Sequence, residues 1–212
     1  MTKNISELLQ NIGAYVDQTI DLPTDDELTS RIKYLDMAQN EWANSYEWNV
    51  LKYKQTVGAS GASVALPTLF RKLKSPAYDT TNDYVYKEIP ASDRNTMSTD
   101  DKYVYILGNG IDGKYLGINP VDATISLEFD YLAFPSSLVT LADQTTCPNP
   151  LFLEQRAIAY VLESRSDPRF PQVKADAQKT LMDMINDQDV PSGGRTNKIP
   201  SFVDGGRYII GE

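Results

Sequence analysis

The chain contains no histidine among its 212 residues. That removes the commonest general base, the base of a Ser–His–Asp triad and the commonest transition-metal ligand. Carboxylate chemistry stays open, but the absence weighs against an enzyme. Cysteine occurs once, at Cys147, so no internal disulfide can form and no cysteine cluster can hold zinc. Cys147 sits beside Pro148 near a helix start, where a thiolate can be stabilised. Without a histidine base, a cysteine hydrolase is not expected. No run approaches the roughly 20 apolar residues of a membrane span. The opening MTKNISELLQ lacks the apolar core of a signal peptide. The reading is a soluble product of a reducing, intracellular compartment. Basic residues are in deficit: 20 Lys and Arg against 29 Asp and Glu give a net charge of −9. This argues against a protein that grips nucleic acid by its phosphates. It remains compatible with a wall past which nucleic acid slides without sticking.

What is present is enough to fold. A hydrophobic content of 41 % is ordinary for a globular chain, and the length allows one large domain or two small ones sharing a core. Ile5, Leu8, Leu9, Ile12, Tyr15 and Val16 fall on one helical face, predicting a helix over 5–16. Leu22-Pro23 breaks it. Thr24-Asp25-Asp26-Glu27 reads as a capping box opening a second helix. Leu28, Ile32, Leu35, Gln39, Trp42 and Tyr46 continue that helix toward Trp48, with both tryptophans expected in the core. The period then changes. Asn49 to Val57 reads as a strand and Gly58 to Ser63 as a flexible loop that lacks phosphate-cradle spacing. Short runs rich in Tyr, Val and Ile follow at 69–73, 84–89, 103–107, 115–118 and 124–131. Asn109-Gly110 and Asp112-Gly113 punctuate a hairpin. Helical period returns after Pro148 and Pro150, is broken at Asp167-Pro168, and resumes through Val173, Ala177, Leu181, Met184 and Ile185.

The expected fold is therefore α+β. An antiparallel helical bundle would be built from the N- and C-terminal helices, with a small antiparallel β domain inserted between them. The expected organisation is 1–48 and 147–189 for the two parts of the bundle, 49–146 for the β domain and 190–212 for an extended C-terminal arm. The arm, VPSGGRTNKIPSFVDGGRYIIGE, is poor in helix formers but carries apolar anchors at Phe202, Val203, Tyr208, Ile209 and Ile210. Ordering it costs entropy unless it docks. Two readings stand: a tail folded back on its own domain or frayed, and an arm that docks on another subunit or partner.

Candidate chemistry is sparse. Asp21, Thr24, Asp25 and Asp26 gather oxygen atoms but lack the glycine and terminal glutamate of an EF-hand loop; a helix cap accounts for them. Asp100-Asp101 reads as a turn, and nothing local selects a glycosidase-like carboxylate pair. Arg71, Lys72 and Lys74 form a modest basic cluster, better suited to salt bridges on a subunit face than to nucleic acid. No catalytic, cofactor-binding or metal residue is assigned.

The order of elements resembles the head-to-tail adaptor proteins of tailed bacteriophages, of the podophage adaptor or tail-tubular type. The likeness is carried by RIKYLDMAQNEWANSYEWNVLKYK (Arg31 to Lys54), by Leu66-Pro67 with Phe70, and by DYVYKEIPASDRN and KYLGINP. It continues through ISLEFDYLAFPSSL (Ile125 to Leu138) and LFLEQRAIAYVLESRSDPR (Leu151 to Arg169). It covers roughly residues 20 to 190. The resemblance implies a non-enzymatic virion protein, made in the host cytoplasm, without cofactor or membrane. It implies a ring, typically of twelve, beneath the portal protein. Its further partners would be a tail or nozzle protein and its own copies, and DNA would cross its channel without specific binding. The arm would then be the docking element, through Ile199, Phe202, Val203, Arg207, Tyr208, Ile209 and Ile210. A head-closure or baseplate protein is the alternative; a carboxylate-based hydrolase is a more distant one.

Overall fold

The computed structural model describes residues 4–59, 62–109, 113–119 and 125–188. The arm, with all seven of its expected anchors, lies outside the described residues. The described residues form four α-helices: α1 (Ile5–Val16), α2 (Asp25–Ser45), α3 (Pro150–Ser164) and α4 (Phe170–Gln188). Asn4 caps α1 by accepting from the Ser6 amide at 3.2 Å, and Ile5, Leu8, Leu9 and Ile12 are buried. Gly13 is required because a Cβ there would lie 2.8 Å from the Thr19 carbonyl oxygen, where the chain turns back after α1. Asn149 caps α3 by accepting from the Leu151 amide at 3.0 Å, and Pro150 fills the first turn, where no amide hydrogen is needed.

Among the described residues, eight strands form one sheet: β1 (Lys52–Ala59), β2 (Ser63–Ala65), β3 (Phe70–Leu73), β4 (Ala77–Asp79), β5 (Tyr84–Glu88), β6 (Tyr103–Asn109), β7 (Gly113–Asn119) and β8 (Ile125–Ala133). Their order is β1-β8-β4-β5-β6-β7-β2, with β3 also on β8. β1 ends at Ala59 and β2 begins at Ser63. The chain between them spans at most about 14 Å, whereas the outer strands of a flat seven-strand path would lie about 29 Å apart. The sheet must curl. Its two end strands do touch, leaving a nearly closed, barrel-like sheet.

This corrects the expectation of a helical bundle with a small inserted antiparallel β domain. The sheet is the organising element and the helices are not a separate bundle. Their core, with Leu35, Trp42, Phe152 and Leu162, is continuous with Leu51 and with Leu132 of β8. A second core, with Phe70, Tyr86, Val104, Leu116 and Phe129, fills the sheet. Nor is the sheet wholly antiparallel, since β5 and β6 pair in parallel through Lys87↔Tyr103 and Glu88↔Val104. The chain between them runs from Ile89 to Lys102, long enough for the crossover a parallel pair needs. Local period cannot show such pairing.

Two smaller expectations also change. Thr24 occupies the cap position of α2 but makes no side-chain cap bond. Asp25 has φ 54°, which redirects the chain away from capping-box geometry. Strands β2 and β4, three residues each, were invisible in the sequence.

Polar side chains of α2 hold the irregular segment 134–149. Buried Gln39 donates to the Ser136 carbonyl at 2.8 Å and accepts from the Thr146 amide at 2.6 Å. Asp36 accepts from the Leu138 amide at 2.8 Å.

Candidate interaction surfaces

The basic cluster is spoken for within the chain. Arg71 donates to the Ala43 carbonyl at 2.9 Å, at the end of α2, where a cation complements the helix dipole. Lys72 pairs with Glu47 at 2.6 Å, and Lys74 pairs with the other oxygen of the same carboxylate. The hydrogen bonds from Lys72 and Lys74 hold the Glu47 carboxyl down at about 2. The cluster therefore fastens β3 to the helical layer and offers no free patch to phosphates.

Other charges are similarly internal. Arg31, 3 % exposed, pairs with Asp17 and, at 2.6 Å, with Glu27. Arg165 meets the same two acids at 2.6 and 2.9 Å, tying α1, α2 and α3 together. Burial opposes ionisation of Asp17, but hydrogen bonds from Arg165 and Arg31 prevail and lower its pKa. Glu41 accepts from Arg156 at 2.6 Å and from the Tyr160 hydroxyl at 2.7 Å, joining α2 to α3.

The candidate nucleophile is inert. Cys147 is buried, and burial pushes its thiol up to about 12. That overrides any stabilisation from the neighbouring helix start. Among the described residues, no group of three or more His, Cys, Asp or Glu is placed to hold a metal ion. Asp21, Asp25 and Asp26 are exposed at the α1–α2 turn and the start of α2. No described helix is long and apolar enough to cross a membrane.

What the surface does offer is apolar and aromatic. Phe134 and Leu69, each 39 % exposed, lie side by side, the Phe134 amide donating to the Leu69 carbonyl at 2.7 Å. Lys114 and Arg71 lie 5.6 and 5.7 Å from the Phe134 ring, a cation–π frame around the patch. A second area lies on β4 and β5, where Tyr78 and Val85 pair across the strands and Tyr84 carries Lys102 on its ring at 3.9 Å. These surfaces were not foreseen. The available signal was Val85 between two tyrosines, an apolar residue whose neighbour Tyr86 fills the core and which therefore points outward itself.

A fold held by internal ion pairs, lacking a described metal cluster and presenting aromatic patches is built for contact. Residues 3–197 match the family model described as SU10 adaptor protein. The chain belongs to this family of phage adaptors. No curated protein matches it. As a phage head-to-tail adaptor it is a structural component of the virion, partnered with portal and tail components. The family match ends at residue 197, before every one of the arm anchors Ile199, Phe202, Val203, Arg207, Tyr208, Ile209 and Ile210.

Proposed function

We propose that this adaptor closes into a ring of about twelve copies by a heterologous contact between neighbours, docks on the portal, and joins it to the tail or nozzle around an open DNA channel. The observation that carries the reading is the family match over residues 3–197. The net charge of −9 supports it: a lining of acidic subunits repels packaged DNA rather than holding it. The arm is the gripping element in this reading. Phe202, Val203, Tyr208, Ile209 and Ile210 enter apolar pockets or extend a strand edge on the portal or a neighbour, with Ile199 and Arg207 completing the contact. Ring closure repeats that contact, so weak single sites add to firm attachment. The role is structural, with no catalytic step.

Native mass measurement of the portal mixed with the adaptor tests the proposal. The expected complex carries an integral ring of adaptor copies matching the portal symmetry. Deleting residues 190–212 removes it while leaving the adaptor folded. A complex that survives the deletion with unchanged salt resistance refutes the gripping role of the arm. No complex from two folded proteins refutes portal docking.

A further inference from the structure

The patch at Phe134 combines exposed apolar surface with unpaired positive charge. Leu69 and Phe134 are exposed neighbours, and Lys114 and Arg71 frame the Phe134 ring. Each cation is anchored on the backbone. Arg71 donates to the Ala43 carbonyl at 2.9 Å, and Lys114 donates to the Phe70 carbonyl at 3.2 Å. A carbonyl fixes a cation without cancelling its charge. Lys54, Lys72 and Lys74 all meet carboxylates, whereas among the described residues no carboxylate pairs with Arg71 or Lys114. In a chain of net charge −9 this is a positive, apolar socket on an acidic molecule.

Such a socket selects an exposed apolar side chain accompanied by carboxylates. The turn between α1 and α2 presents one. Ile20 is 71 % exposed. The turn holds it out: the Thr19 amide donates to the Gly13 carbonyl at 3.4 Å, and the Asp21 amide donates to the Thr19 hydroxyl at 3.2 Å. A knob fixed in advance loses little freedom on docking. Asp21, Asp25 and Asp26 follow it, all exposed. No described lysine or arginine pairs with them: Arg31 and Arg165 are held by Asp17 and Glu27, and Arg169 by Asp167. The β4–β5 surface matches the socket less well, because Lys87 and Lys102 accompany its exposed Val85 and Tyr84.

Socket and knob lie at opposite ends of α2. Arg71 marks the last turn through Ala43, while Asp25 and Asp26 open the first. The 21 residues of α2 hold these ends about 30 Å apart, so one chain cannot join them. Between copies the contact is heterologous: each copy receives at one end and inserts at the other. We infer that the Leu69–Phe134 patch receives the Ile20 turn of a neighbouring copy. Ile20 packs on Leu69 and Phe134, and Asp21, Asp25 and Asp26 face Arg71 and Lys114. The inference rests on the ring proposed above and names its neighbour contact.

Thiol cross-linking of full-length chains, run with and without the portal, tests it. Thr24 makes no side-chain cap bond, and Thr68 is exposed beside Leu69, so Thr24→Cys and Thr68→Cys spare both anchors. The native Cys147 is buried. With a short bismaleimide, the two variants mixed should give covalent pairs at least about tenfold above either variant alone, as a heterologous contact requires. Lys114→Glu in the Thr68→Cys chain should cut that yield about tenfold. Asp21→Lys with Asp26→Lys in the Thr24→Cys chain should cut it from the other side, and combining the reversed chains should restore it. Thermal midpoints report whether each variant is folded. Mixed cross-links without the portal support the contact even where portal docking fails. A ring on the portal without the mixed cross-link overturns the contact and leaves the proposed function standing. No mixed cross-link under either condition overturns it, as does a yield indifferent to both charge reversals. Thr68→Cys that cross-links to the portal alone gives the patch to the portal and equally overturns it.

Discussion

Glu47 shows how a surface charge is turned into a fastening. One carboxylate receives two lysines from β3, and its pKa falls to about 2. A carboxylate depressed on folding stabilises the fold above its unfolded pKa, and the contribution is lost as pH falls through the folded value. Here the loss begins near the ordinary carboxylate range, about 4.5, and completes below about 2. An NMR titration of the Glu47 carboxyl carbon should show a midpoint near 2 in the wild type. In the Lys72→Ala, Lys74→Ala double variant it should return toward the ordinary range; an unchanged midpoint would show that the two lysines are not its cause. Trp42 illustrates the apolar counterpart. Its ring is fully buried, stacked on Trp48 at 5.2 Å, and the Trp48 indole donates to the Trp42 carbonyl at 2.6 Å. Trp42→Ala should cost about 3–5 kcal/mol, read as a lowered denaturant midpoint. No shift would mean that the ring is not a core group.

At the scale of elements, legibility followed sequence distance. α1 was readable to the residue because Ile5, Leu8, Leu9 and Ile12 repeat at helical spacing within one short stretch. Most strands were readable from their Tyr and Val content. β8 was readable by alternation, with Ile125, Leu127 and Phe129 inward and Glu128 outward, paired to Lys54 at 2.6 Å. β4 was not, because Ala77-Tyr78-Asp79 is too short for a period and its inward Asp79 reads as a turn residue. That carboxylate is 1 % exposed and is satisfied by Asn82 and the amides of Thr81 and Ser126. The partners of β8 lie some 48 to 80 residues away, and local pattern carries no information about them. Hence a curled eight-stranded sheet was read as a small inserted domain. Gln39 was likewise read only as one more position on the α2 face. Its three hydrogen bonds to 136, 146 and 147 show that α2 organises the segment leading into α3. Gln39→Leu should strip those bonds at a cost of about 1–3 kcal/mol. It should also raise amide exchange selectively around Thr146 and Cys147, whereas a uniform increase across the fold would show that Gln39 acts on global stability and does not specifically organise this segment.

For the whole molecule, the two cores account for folding and the surface accounts for use. Among the described residues, both cores are drawn from positions between 5 and 184. Deletion of 190–212 should accordingly leave the thermal midpoint within a few degrees of the wild type, checked by calorimetry. A collapse of the midpoint would place the arm among the structural elements. The candidate anchors in the arm were legible as apolar residues in a helix-poor tail, but their destination was not, since docking depends on a surface that the tail itself does not encode.

The most direct test is electron microscopy of the purified adaptor mixed with its portal protein. The account predicts an added ring on one end of the portal, coaxial with an open channel. Two folded proteins that remain separate, or an adaptor bound without closing a ring, would contradict it.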